Sequence, residues 1–416
     1  MARRTKIGPM VPAPSSPPDI DEASPRYPGW RVVFVCFLIA TFSWGLCFYG
    51  LSVYLVELQR LYGWSTSWIS LASSAFYLTS AVFVVYVSEF LRRLGPRRLM
   101  LAGIITLAVA TIGVGLVSAP WHLALAYLVM SFAWAVTSIA AITSMLGLWF
   151  RTRLGLAISL ALTGASVGGI LIVPALILLT DAIGFRNAMS ATAAFMLIVL
   201  VPAILALVGR PPRVATAAPG TTQSVAWTRA EALRSRAFWS VCGPVALSLV
   251  AQVGFLVHQI AILEVSLGRT GAGFAVAITT IAALLGRLLL EAVADRLDPR
   301  ITTAISLATQ AAALFAIART TDAATLYVAC VVFGLSVGNL ITLPALIVQR
   351  EFERASFGML VGLLVAVSTV TYAFGPSALG ALRDLTGNYT ASIYLCIGAE
   401  LLAAVVILWR PRSRTG

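Results

Sequence analysis

Lysine is almost missing from this chain: Lys6 is the only one, and every other basic side chain is Arg. Acidic residues are scarce too, 16 against 29 basic ones, and charged residues make up only 11% of the 416 positions. There are two histidines, and the five cysteines (Cys36, Cys47, Cys242, Cys330, Cys396) fall inside apolar runs with no CxxC spacing. That set offers no metal site, and the cysteines read as small packing residues. A Walker-type Gly-Lys-Ser/Thr loop is absent, so nothing points to ATP or another cofactor. No paired carboxylates, His-rich cluster or nucleophile motif stands at usable spacing, which argues against an enzyme. Residues 1–28 hold Arg3, Arg4, Lys6 and many prolines without an apolar core or cleavage site. They read as a disordered cytoplasmic tail and not as a signal peptide.

What is abundant is apolar sequence. The chain is 59% hydrophobic, with a mean hydropathy of +0.93. One soluble core could not hide this many long apolar segments, so the composition predicts a polytopic membrane protein. From Leu99 to Phe150 there is no Asp, Glu, Lys or Arg. That run is too long for one helix, and Ser118-Ala119-Pro120-Trp121 divides it. Similar breaks elsewhere give twelve spans. Residues 29–209 form a first six-helix half and 237–410 a second. Residues 210–236 are a cytoplasmic linker with a short helix announced by a Thr228-Arg229-Ala230-Glu231 capping box, and 411–416 are a second tail. The net charge of +13 does not indicate nucleic acid, because the arginines cluster in the even-numbered connections, the linker and the tails. The odd-numbered connections carry at most one Arg each. The positive-inside rule then puts both termini in the cytoplasm; the Arg-, Ala- and Gly-rich composition fits a GC-rich bacterial genome, so the expected location is a bacterial inner membrane.

A short repeat supports two similar halves. Arg93-Leu94-Gly95-Pro96-Arg97 recurs as Arg296-Leu297-Asp298-Pro299-Arg300, each joining the second and third helix of its half. Two six-helix halves joined by a long loop suit a transporter with its substrate held between them. Here the chain resembles the major facilitator superfamily, whose signature at this place is Gly-x-x-x-Asp-Arg-x-Gly-x-Arg. The second copy reads Glu291-x-x-x-Asp295-Arg296-x-Asp298-x-Arg300. The first reads Ser88-x-x-x-Arg92-Arg93-x-Gly95-x-Arg97, with Arg92 in place of the Asp. The resemblance implies a cytoplasmic gate built from Glu89, Arg93, Gly95, Arg97, Asp295, Arg296 and Arg300, with Glu89 taking over the missing acidic role. Gly164-Ala165-Ser166-Val167-Gly168 ahead of Pro174 is similar to the family's glycine-rich fifth helix, where small residues allow close helix contact.

Four stretches resemble the monocarboxylate-transporter and oxalate/formate-antiporter branch: Gly29-Trp30-Arg31, Tyr62-Gly63-Trp64-Ser65, Arg153-Leu154-Gly155, and the run from Gly380 to Tyr389. That branch implies an anion-binding Arg on helix eight, and Arg287 occupies the place. The branch's Asp one turn earlier is Ala283 here. Its helix-one Lys is absent, and Cys47-Phe48-Tyr49 fills that region. The physics of Arg287 points the same way. It lies roughly 12 Å inside Asp295, near the middle of a ~30 Å hydrocarbon layer. A guanidinium there is costly unless it meets a wet cavity or a partner, and its fork of donors matches a carboxylate. The alternative is an Arg that pins two helices together.

Glu291, one turn on, shares a face with Arg287 and is the candidate for proton coupling; a static pair or a gate residue is the alternative. His258, Asn339, Tyr372 and Tyr127 are candidate substrate contacts, with interhelical hydrogen bonding as the alternative for His258. Glu400 on helix twelve reads as packing or snorkelling. The expected protein is an all-α membrane protein of the major facilitator fold. It moves a small organic anion of the monocarboxylate class, as a proton symporter or anion exchanger, and it acts as a monomer. Export of a hydrophobic compound and a non-transporting membrane sensor are the alternatives.

Overall fold

The computed structural model describes residues 22–209, 211, 227–293, 296–353 and 356–411, except the side chains of Glu291 and Ile341. Eleven helical stretches among them are long and apolar enough to cross a membrane. They are α1 Gly29–Tyr62, α2 Thr66–Val85, α3 Pro96–Gly115, α4 Pro120–Leu146, α5 Leu154–Ile183 and α6 Phe185–Leu207, then Arg236–Val293, α9 Pro299–Arg319, α10 Ala323–Glu351, α11 Phe357–Thr386 and α12 Thr390–Ile407. The stretch Arg236–Val293 is two spans. Gly268 has φ 69° and ψ 172°, a left-handed conformation that only glycine adopts freely, and the chain reverses there. It divides into α7 (236–267) and α8 (269–293), so the described residues hold twelve such helices.

The packing repeats with an offset of six. Helix α1 lies on α5 as α7 lies on α11; α2 lies on α4 as α8 on α10; α3 lies on α6 as α9 on α12. Small residues make the tightest crossings. A Cβ on Gly164 of α5 would sit 2.1 Å from the Phe37 carbonyl oxygen of α1, and one on Gly375 of α11 would sit 2.4 Å from that of Val250 of α7. Nothing larger fits, so backbones meet directly, as the glycine spacing in α5 led one to expect. Both α1 and α5 carry a one-turn π-bulge, Gly45–Tyr49 and Gly168–Ile172, and the two bulges face each other. Exposed Phe34, Val82, Ile105, Phe195 and Val405 coat the outside, as lipid contact requires.

Three local features mark the ends of the helices, and the last of them differs from the sequence expectation. Helix α1 runs on to Tyr62, where Gly63 at φ 66° ends it, so Glu57 and Arg60 are helical and not part of a loop. The seventh connection is reduced to Gly268 for the reason given above. Residues 22–28, read as part of a free tail, are docked; residues 1–21 lie outside the described residues. The Glu22 carboxylate accepts from the backbone N–H groups of Arg151 (2.7 Å), Thr152 (2.9 Å) and Arg153 (2.9 Å) and from the Thr152 hydroxyl (2.7 Å). Those donors lie at the N-cap Arg153 and the two residues ahead of it, just before α5, where a carboxylate is favoured. The Tyr27 hydroxyl donates to the Trp149 carbonyl, and Tyr27 and Trp30 pack edge-on against Phe150. In the linker, Thr228 and Glu231 form the reciprocal cap of the helix Arg229–Arg234.

Candidate functional site

The two halves meet along α2 and α11, and along α7 and α8 against α1 and α5. Every described hydrogen bond and ion pair that crosses this seam lies toward the end bearing the odd-numbered connections, here the odd end. Asp384 of α11 accepts from the backbone N–H (2.7 Å) and hydroxyl (2.6 Å) of Ser67 in α2. Deeper in, the backbone N–H of Ser377 donates to the Ser74 hydroxyl at 3.2 Å. At the rim, Arg60 pairs with Glu264, and Arg269 bridges Glu57 and Asp181. Among the described residues no such bond joins the halves at the opposite, even end.

Arg287 lies in α8, half-buried, about 27 Å along the helix from residue 269 and roughly 9 Å from its last residue. Its backbone therefore lies midway between the middle of α8 and its even end. Helical side chains lean toward the start of their helix, which carries the guanidinium back toward mid-depth. There it acts electrostatically on Tyr49, in the π-bulge of α1, whose hydroxyl faces Thr280 about two turns up α8. Gly169 of α5 closes the group: a Cβ there would be 2.6 Å from Thr280 Oγ1 and 2.9 Å from the Tyr49 ring. Residues of α1, α5 and α8, two from one half and one from the other, thus converge beside Arg287. On its other side Gly338 of α10 packs so closely that a Cβ would be 2.0 Å from the Ala283 carbonyl oxygen and 3.2 Å from Arg287 Cβ. Among the described residues, none is an ion-pair or hydrogen-bond partner of Arg287.

Aromatic rings floor the same region. Phe48 packs on Tyr49 (5.0 Å between centroids), Tyr77 (6.5 Å) and Trp134 (6.4 Å), and Trp134 on Trp44 (4.6 Å). Tyr372 of α11 meets Tyr77 of α2 edge-on at 5.4 Å, so this pair spans the seam. The Tyr77 hydroxyl is buried with no hydrogen-bond partner among the described residues. Tyr127 is buried against Phe76, its hydroxyl facing Ser73 without a formed hydrogen bond. Tyr372 and Tyr127 therefore stand with the aromatic group.

Two other candidates are committed elsewhere. His258 is wholly buried; its Nδ1 is 3.0 Å from the Tyr389 hydroxyl, and its Nε2 is 3.0 Å from the Pro376 carbonyl and 3.2 Å from Ser70 Oγ. It joins α7 to α2, α11 and α12, which is the interhelical hydrogen-bonding alternative. Asn339 donates to Ser306 of α9 at 3.1 Å, within the second half. Glu291 follows Arg287 by one turn of α8, its side chain outside the described residues.

The gate residues of the two repeats make equivalent bonds, each inside its own half. Arg97 donates to the Leu205 carbonyl at the end of α6 (2.8 Å). Arg300, its counterpart, donates to the Ile407 carbonyl at the end of α12 (2.7 Å) and to Trp409 (2.9 Å). A guanidinium thereby satisfies carbonyls that a helix C-terminus leaves open. Arg300 also holds Glu351 with both nitrogens of its fork, at 2.6 and 2.7 Å, and Ser240 Oγ at 2.9 Å. Gly95 takes φ 75° between the helix Val87–Leu94 and α3. Glu89 pairs with Arg92 and Arg93 of its own helix, and these guanidiniums hold its carboxyl below the usual value. Asp298 caps α9 and meets Arg410 at 2.6 Å. Arg296 is exposed, and Asp295 lies outside the described residues.

The residues that sequence reasoning passed over are Tyr77, Glu57, Arg269 and Asp384. Glu57 had a signal: an acid inside an otherwise apolar run, with few charges of opposite sign in the other odd connections to complement it. Tyr77 had none, since an aromatic at helical spacing looks like core.

Comparison with known proteins agrees with this architecture. The sequence pattern described as "Major Facilitator Superfamily" matches residues 33–268 and 253–416. Monocarboxylate transporter 13 of Rattus norvegicus is 26% identical over 395 residues, covering 91% of this chain and 88% of that protein. Monocarboxylate transporter 11 of Homo sapiens is 27% identical over 435 residues, covering 97% and 86%. Among solved structures, the nucleoside transporter NupG superposes with a TM-score of 0.73 at 15% identity, covering 92% of this chain and 98% of that one. A bacterial homologue of the human lysosomal transporter Spinster, inward-facing and occupied, gives 0.68 at 16%, covering 92% and 95%. A glycine-cemented double six-helix architecture and a family match over nearly the whole length lead to one conclusion: the chain belongs to the Major Facilitator Superfamily, as a multi-pass membrane transporter that resembles the monocarboxylate-transporter branch.

Proposed function

We propose that this protein is a secondary transporter of a small organic anion, of the monocarboxylate class, and that Arg287 binds the carboxylate. The observation that carries this reading is a half-buried guanidinium with no described partner, set among residues of both halves. A charge so placed needs a counter-ion, and a carboxylate fits its fork with two charge-assisted bonds. The hydroxyls of Tyr49 and Tyr77 are at hand to orient it, and the aromatic floor suits a short apolar body. The names of the curated relatives point to the same class. With the arginine-rich connections inside, both termini are cytoplasmic and the odd end faces out, so the described closure at the odd end is that of an inward-open carrier in a bacterial inner membrane. A monomer suffices, since the seam lies within one chain. Glu291 couples the proton: substrate carboxylate and Glu291 compete for Arg287, so anion entry accompanies protonation of Glu291.

Thermal-shift screening of the purified protein against a panel of carboxylic acids tests this, with Arg287→Ala as control. Acids that stabilise the parent should lose their effect on the variant. Equal stabilisation of both removes Arg287 from the site, and stabilisation only by uncharged hydrophobic compounds favours the exporter reading. Uptake by Glu291→Gln should lose part of its pH dependence; full retention removes the coupling role.

A further inference from the structure

Five charged side chains close the odd end, and they come from both halves. Arg269 opens α8; its guanidinium lies 2.7 Å from Glu57 of α1 and 2.8 Å from Asp181 of α5. Arg60 of α1 is 3.5 Å from Glu57 and pairs with Glu264 of α7. These are the charged groups that face Glu57 from the elements packed on it. From α2 comes only Thr66, which accepts from Gln59. Three carboxylates therefore share two guanidiniums. Their surroundings are unequal: the Glu57 side chain is 4% exposed, while Asp181 is 42% exposed. Arg269 is close to both acids, yet its Nε and one Nη lack aligned hydrogen bonds. The contact is held by charge more than by fit.

Parting the halves at this end carries Arg269 and Glu264 away with α7 and α8. Glu57, Asp181 and Arg60 stay behind. The half that keeps them has two carboxylates and one guanidinium, and that guanidinium is the more distant and the wetter of the two. A nearly buried carboxylate that loses its closest counter-ion is costly, and a proton is the smallest group that removes the cost.

We propose that Glu57 is a proton-binding site whose protonation accompanies opening of the odd end, so that proton uptake and release of the Arg269 contact are one linked step. The proposal deepens the transport reading and rests on its placing the odd end outside. It adds a protonation site on the face opposite to Glu291, where a proton arriving from outside would meet the closed carrier first.

The test needs no substrate. Ser74, 2% exposed, lies in the seam below the cluster. A membrane-impermeant thiol reagent added outside should reach the thiol of Ser74→Cys only when the odd end opens; the five native cysteines are buried. Labelling is followed at residue 74 from neutral to mildly acidic pH, in the Ser74→Cys protein and in the same protein with Glu57→Gln. The ratio of the two rates cancels the reagent's own dependence on thiolate. One linked proton should raise that ratio by up to about tenfold per pH unit of acidification. Glu57→Asp, which keeps a titratable group, should retain the slope. Ser377→Cys gives the same comparison should Ser74→Cys fold poorly. A ratio that does not change with pH overturns the proposal, as does a slope lost in Glu291→Gln and kept in Glu57→Gln. Because Arg287 takes no part in the labelling, failure of anion binding there leaves this result standing on its own.

Discussion

Removing the Arg300 guanidinium should unfold the second half more easily without touching the seam. Its side chain is 1% exposed and ties the first turn of α9 to α7, α10 and α12. In Arg300→Met the stem volume is kept while the fork is lost. The carbonyls of Ile407 and Trp409 and the Ser240 hydroxyl lose a charged donor, each omission costing about 1 kcal/mol or more where water cannot replace it. Glu351 also loses its partner, but its side chain is 32% exposed and water offsets part of that loss. Together these give a loss of about 3–4 kcal/mol, in the range for breaking one side of a buried ion pair. Thermal unfolding in detergent measures it. Arg300→Lys should recover only part, because a point charge cannot hold both Glu351 oxygens and the helix end together. If Arg300→Met melts with the parent while seam labelling changes, Arg300 is a latch between the halves and the account of it as an anchor within one half is wrong.

Glu22→Ala should undock residues 22–28, read as faster amide exchange at 151–153. Burial by itself would raise the Glu22 carboxyl, but the donors of Thr152, Arg153 and Arg151 together lower it below its ordinary value of 4.5. The carboxylate is covered at contact range, 9% exposed, yet sits at the rim of the molecule, so the hydrogen bonds dominate. A lowered value means the dock is complete above the ordinary carboxylate range and is lost as pH falls through the lower, folded value; protection that disappears near neutral pH would contradict this. Glu400 is 0% exposed and neither carboxyl oxygen has a partner among the described residues. Glu400→Met should therefore raise stability by about 1–3 kcal/mol, and a marked fall in the melting temperature would show an unrecognised partner. In Gly286→Ala the new Cβ would meet the Leu335 carbonyl oxygen at 2.0 Å, so α8 and α10 must part. A loss of at least about 1–3 kcal/mol is expected, together with weaker stabilisation by any acid that binds Arg287; wild-type behaviour in both would refute the close crossing.

Composition and periodicity alone determined a great deal: a polytopic helical protein, two related halves, and an Arg on helix eight placed where a charge demands a reason. Those properties are carried by apolar runs, by charge placement and by a repeated five-residue string, each of which acts locally or by simple counting. The glycine spacing in α5 was readable for the same reason, since only a small residue allows backbones to touch. Tertiary structure decided what touches what. That Arg97 and Arg300 anchor helix ends, that His258 is saturated by three helices, and that Tyr77 meets Tyr372 across the seam depend on neighbours distant in sequence. The same holds for Glu57, whose ordinary-looking place near the end of α1 acquires meaning only when Arg269 and Asp181 arrive from two other helices. A single side chain does not encode its partners; the packing of the helices, by bringing residues distant in sequence into contact, selects them.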